Sequence, residues 1–186
     1  MGDSGVRRHR LLTGTSGVLL FACMFLPAVK GCSSPIVPLE LPPFVPPYLF
    51  GLVFAWLALS RTRRALAAGS FVLRMVALGV VLAGIALVLI APTVGIIEVA
   101  VGLVLVATIG GRRGSERRIA VSGVVIGAVC TVWFGLWSVT PEALLGVYLS
   151  LASSVGLLLG STMWVAELLL CPPALVPRAA VISSRP

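Results

Sequence analysis

Charge is scarce in this chain: 11% of its 186 residues are Asp, Glu, Lys or Arg, and only 6 are acidic. With 59% hydrophobic residues and a mean hydropathy of +1.12, the polar surface that a water-soluble domain needs is missing. Cysteine, at four residues, is too rare for a disulfide scaffold. Cys23, Cys32, Cys130 and Cys171 show no C-x-x-C spacing, and the one histidine, His9, sits in an arginine-rich head. Neither a metal centre nor a redox pair is therefore legible. Alternating hydrophobicity is lacking too, and the unbroken apolar runs exclude both a β-barrel and a disordered chain. There is no G-x-S-x-G, no H-E-x-x-H and no phosphate-binding loop, and no helix face carries a pair of acids. His-dependent hydrolysis and di-metal chemistry have no residues to build on, so the expectation is a non-enzymatic protein without a cofactor.

What is present is a series of long apolar runs separated by short basic clusters. The fold class this predicts is all-α, a polytopic integral membrane helix bundle with six transmembrane helices and both termini inside. The expected organisation is a basic cytoplasmic head at 1–10, a membrane domain at 11–170 and a cytoplasmic tail at 171–186. Spans fall at about 11–29, 47–62, 71–91, 94–110, 119–138 and 142–170, with a Pro-rich outer loop at 30–47. This arrangement gathers Arg7, Arg8, Arg10, Arg61, Arg63, Arg64, Arg112, Arg113, Arg117, Arg118, Arg178 and Arg185 on the inner face, with Lys30 outside and Arg74 in the membrane. If the short run at 47–62 did not cross, the clusters would divide between the two faces, which is the chief argument for six. Pro47 suits the first position of that helix, and the arginines after it can snorkel to headgroups.

The first run reads as a retained span. No A-x-A-like cleavage site follows it, and the lipobox-like stretches ending at Cys23 and Cys32 carry Phe21 and Lys30 in unsuitable places. Six prolines between Pro35 and Pro47 predict an extended outer loop, partly polyproline II. The net charge of +8 would suggest nucleic acid in a soluble protein; here topology accounts for it, and anionic lipid headgroups at the inner face are the expected partner.

Two helix faces are rich in small residues. In the last span Gly146, Ser150, Ser153, Leu157, Gly160, Trp164 and Glu167 recur at steps of four and three, opposite an aliphatic face. The fifth span has Gly123, Gly127, Cys130, Phe134 and Trp137 at the same steps. Because lipid tails are as apolar as leucine, close approach through Gly and Ser is what holds membrane helices together. A packing seam of Gly123, Gly127, Gly146, Ser150, Ser153 and Gly160 is therefore predicted between the last two spans. With a turn centred at Thr140, Phe134 would face Gly146, Cys130 would face Ser150, Gly127 would face Ser153 and Gly123 would face Leu157.

Glu98 is the residue singled out for function, because an ionisable group inside a span is costly and turns inward or toward a water path. It would bind a proton or a cation, or else hydrogen-bond a neighbouring helix. Arg74 and Glu167, both near the inner surface, are expected to form a structural ion pair. Trp133, Trp137 and Trp164 lie at span ends and suit an interfacial belt. The functional expectation is an accessory, assembly or scaffold subunit of the cell membrane, as a homo-oligomer or with another membrane protein. The alternative is a small transporter or channel with Glu98 on its path.

Overall fold

A computed structural model describes residues 5–31, 34–40, 45–59, 63–89, 92–109 and 116–170. Arg61, Arg112, Arg113, Cys32, Cys171 and the tail with Arg178 and Arg185 lie outside the described residues. Among the described residues the fold is all-helical apart from a small cap. Six α-helices follow in order: α1 (Gly5–Cys23), α2 (Val45–Leu59), α3 (Arg63–Val88), α4 (Pro92–Ile109), α5 (Glu116–Ser138) and α6 (Leu145–Leu170). Three carry stretches long and apolar enough to cross a membrane: Ala68–Val88, Glu116–Ser138 and Leu145–Leu170. Val45–Ala58 and Pro92–Thr108 are apolar and shorter, whereas α1 begins with arginines and continues through Thr13, Thr15 and Ser16.

Prolines set several boundaries. The expected first span reaches residue 29, but the helix ends at Cys23. Its last turn tightens through bonds from the Met24, Phe25 and Leu26 amides to carbonyls three residues back, before Pro27 diverts the chain. Pro46 and Pro47 both sit in the first turn of α2, and Pro92 opens α4, where a missing amide proton costs nothing. On its N-terminal side α3 starts at Arg63, well ahead of residue 71.

The Pro-rich segment, expected as an extended outer loop, is not simply extended. Val29–Lys30 (β1) pairs antiparallel with Pro35–Ile36 (β2), and Pro38–Glu40 forms a 3-10 turn. The other edge of β1 meets the α5–α6 connection: the Lys30 amide donates to the Glu142 carbonyl at 2.9 Å, and the Leu144 amide to that of Ala28 at 2.9 Å. Two loops far apart in sequence thus satisfy each other's backbone, and the end of α1 is tied to the start of α6.

The helices close into a ring in the order α4, α3, α2, α1, α6, α5, with successive helices alternating in direction. Packing is close between α5 and α6, α3 and α4, α1 and α6, and α1 and α2, and sparser where α4 meets α5. Small residues set the close approaches. A side chain at Gly17 of α1 would strike the α2 backbone at Gly51, and one at Gly51 would lie 2.8 Å from the Gly17 carbonyl. Gly84, Gly95 and Gly102 do the same for α3 and α4. Leu20, Phe54, Leu57, Leu73, Ile126 and Leu157 fill the core.

Candidate functional site

The small-residue seam on α6 faces a different neighbour from the one expected. A Cβ at Gly146 would lie 2.6 Å from the Pro27 carbonyl oxygen, and one at Gly160 would lie 2.8 Å from the backbone nitrogen of Thr13. Ser150 Oγ is 3.4 Å from the Tyr48 hydroxyl of α2, and the Cys23 thiol of α1 is in hydrogen-bond contact with Ser150 and Ser153. The seam therefore packs on α1 and the start of α2. Toward α5, a second stripe of α6 is used: Ser154 with Thr131, Leu158 with Gly127, and Ser161 with Gly123.

Gly123 and Gly127 do face α6, but about one turn further along it than a turn centred at Thr140 implies. The connection runs from Ser138 to Leu145, which moves the centre toward Glu142. Phe134 packs its ring against Tyr48, 5.6 Å between centroids, and Cys130 is buried in the core. Most of these hydroxyls are satisfied within their own helices, as when Ser150 donates to the Gly146 carbonyl at 2.7 Å and Thr13 to that of His9 at 2.9 Å. They keep the helices close without spending an unmatched polar group, whereas Ser161 Oγ, opposite Gly123, is buried with no hydrogen-bond partner among the described residues.

The expected pair of Arg74 and Glu167 is replaced by another. Glu167 accepts from His9 Nδ1 of α1 at 2.7 Å. The reason is topological: α3 packs on α4 and α2, while α6 lies between α5 and α1.

His9 belongs to a polar cluster at the N-terminal ends of α1 and α5 and the C-terminal end of α6. Arg10 donates to Glu116 Oε1, and the Trp164 indole donates to the same oxygen at 3.2 Å. The His9 ring stacks on Trp164 at 6.0 Å, and the Arg10 guanidinium lies 5.3 Å from the Trp164 ring centroid, within cation–π range. Two acids, two basic side chains and one indole thus join three helices. His9 is only 3% exposed and Trp164 only 2%, so Trp164 is a buried cross-tie where an interfacial belt was expected. Sequence reasoning missed this cluster because it ended the first span at Leu11. The overlooked signal is that His9, Thr13, Ser16, Leu20 and Cys23 continue one seam at steps of four and three.

Glu98 lies elsewhere, two turns into α4 and about 9 Å from its start. A Cβ at Gly84 would sit 3.0 Å from the Glu98 Cβ, so the acid is at the α3–α4 contact. It also lines a cleft walled by Pro47 and Phe50 of α2, Val80 of α3, Val101 of α4, and Ile126 and Trp133 of α5. No basic residue is among the described residues lining it. Arg74 stands about 15 Å further along the α3–α4 hairpin, by helical rise. Glu98 Oε2 is shielded from solvent and has no hydrogen-bond partner among the described residues. A carboxyl group so placed costs several kcal/mol until a proton or a counter-charge joins it. Cys130 shares the wall; it and Cys23 are free and buried.

No protein-family model, curated protein or solved structure matches this chain.

Proposed function

We propose that the chain is a multi-pass protein of the cell membrane with six crossings, both termini inside, acting as a non-enzymatic accessory or scaffold subunit. The observation that carries this reading is the division of the bundle. Three helices, α1, α5 and α6, are tied by the polar cluster at one end and the β-cap at the other, and α2 packs closely on α1. The α3–α4 hairpin is tight within itself through Gly84, Gly95 and Gly102, yet a cleft separates part of it from α2 and α5. Its outer side exposes Met75, Leu78, Leu82, Ile85, Ile96 and Leu103. Such a hairpin is a docking element that can engage another membrane protein, or a second copy, without disturbing the core.

The placement of charge supports the topology. Arg8, Arg10, Arg117 and Arg118 sit at the end where α1 and α5 begin, and Lys30 sits at the other. Arginines at the inner surface would hold anionic headgroups there.

Photo-crosslinking residues at Leu82 and Ile85, with Leu159 of α6 as the control, test the docking role in cells. A discrete adduct larger than the monomer is expected at the α3 sites only. Lipid adducts alone at all three positions would remove the reading.

The cleft favours a second reading, a small transporter or channel in which Glu98 carries a proton or cation. Its test is Glu98→Gln in proteoliposomes. A lost ion or proton flux with intact folding supports it, and unchanged flux, or none in either protein, counts against it.

A further inference from the structure

We propose that the Glu98 cleft is a binding site for a single-chain lipophilic ammonium ion, with the amine on the Glu98 carboxylate and the alkyl body along the apolar wall. This concerns what the cleft holds and stands for an accessory subunit as for a carrier. Two features of the cleft select that chemistry. The lining is apolar and aromatic except for one acid, so recognition must come from a single charged contact plus burial of a hydrocarbon body. That acid has an oxygen without a hydrogen-bond partner among the described residues, and an ammonium N–H would supply one as a charge-assisted bond.

Competing ligand classes fit less well. An anionic amphiphile would bring like charge to Glu98 with no basic residue among the described residues of the wall to offset it. A neutral chain would fill the volume and leave Oε2 unmatched. A bare metal ion needs several oxygen or nitrogen ligands, and the described residues contain no group of three His, Cys, Asp or Glu able to hold one. An ammonium headgroup also tolerates the Phe50 and Trp133 rings, whose faces attract cations.

The test is equilibrium binding of dodecylamine and dodecanol, equal in chain length, to the full-length protein in phosphatidylcholine nanodiscs, with partition into empty discs subtracted. Saturable one-site binding of dodecylamine is expected, about tenfold tighter than that of dodecanol, as a hydrogen bond to a charged group implies. Glu98→Gln should weaken dodecylamine by about the same factor and leave dodecanol unchanged. Val101→Trp, which fills the cleft and keeps the acid, should weaken both. Equal affinity for the two ligands in the unaltered protein overturns the assignment without recourse to any variant. Undiminished dodecylamine binding by Glu98→Gln or by Val101→Trp overturns it as well.

Discussion

At the scale of single residues the bundle is held by a few polar groups that share partners. Glu116 is the hub of the cluster at the basic end, accepting from both Arg10 and the Trp164 indole through one oxygen. Removing it strands two donors, one of them charged, in surroundings that are only partly hydrated. Breaking a fully buried ion pair costs about 3–5 kcal/mol, and because Glu116 and Arg10 keep some exposure the expected cost of Glu116→Ala is nearer 2 kcal/mol. Glu142→Ala, at an exposed site on the β-cap, should stay within about 0.5 kcal/mol. Reversible unfolding in mild detergent measures both. Adding Arg10→Ala to Glu116→Ala should cost much less than Arg10→Ala alone, since the pair is already broken; additive losses would show that the two side chains are not coupled. Glu98 is the opposite case, an acid with one shielded oxygen that has no hydrogen-bond partner among the described residues.

At the scale of helices, what could be read in the sequence depended on whether a pattern has one solution. Apolar runs broken by arginines have one, so six helices in alternating order emerge from them, and Pro47 does fall in the first turn of α2. A stripe of Gly and Ser announces that something packs there and not what. The stripe Gly146, Ser150, Ser153 and Gly160 was visible, but α6 has two neighbours and the stripe turns to α1, with Ser154, Leu158 and Ser161 left for α5. The Glu98 site was half legible: its acid stands out in an apolar run, while its walls come from four helices and no local pattern joins them. The tie between the β-cap and the α5–α6 connection was not legible, because it joins β1 to residues more than a hundred positions away. Disulfide trapping in a background without the native cysteines checks the α5–α6 register. Cysteines at Gly123 and Ser161 should cross-link efficiently, whereas the pair at Gly123 and Leu157, the one expected from a turn at Thr140, should cross-link at least several-fold more slowly.

At the scale of the whole molecule, the disposition of charge and the ties between helices bear on one question, which end of the ring meets which side of the membrane. The end bearing Arg8, Arg10, Arg117 and Arg118 is where α1 and α5 begin; the capped end bears Lys30, Glu40 and Glu142. Basic residues beside short loops are retained on the cytoplasmic side during insertion, so the proposed orientation puts the cluster end inside and the cap outside. If α1, α2 and α4 cross together with α3, α5 and α6, every connection bearing arginines is internal. If only the three long apolar stretches cross, one end of the ring cannot be uniform. Single cysteines at Lys30, Glu142 and Arg117, in a background without the native cysteines, distinguish the two. A membrane-impermeant maleimide added to intact cells should label the first two and reach the third only after permeabilisation. Because β1 is hydrogen-bonded to the α5–α6 connection, Lys30 and Glu142 must report the same side whatever that side is. Opposite labelling of these two would break the cap and with it the ring, whereas joint labelling from the inside would keep the ring and invert it.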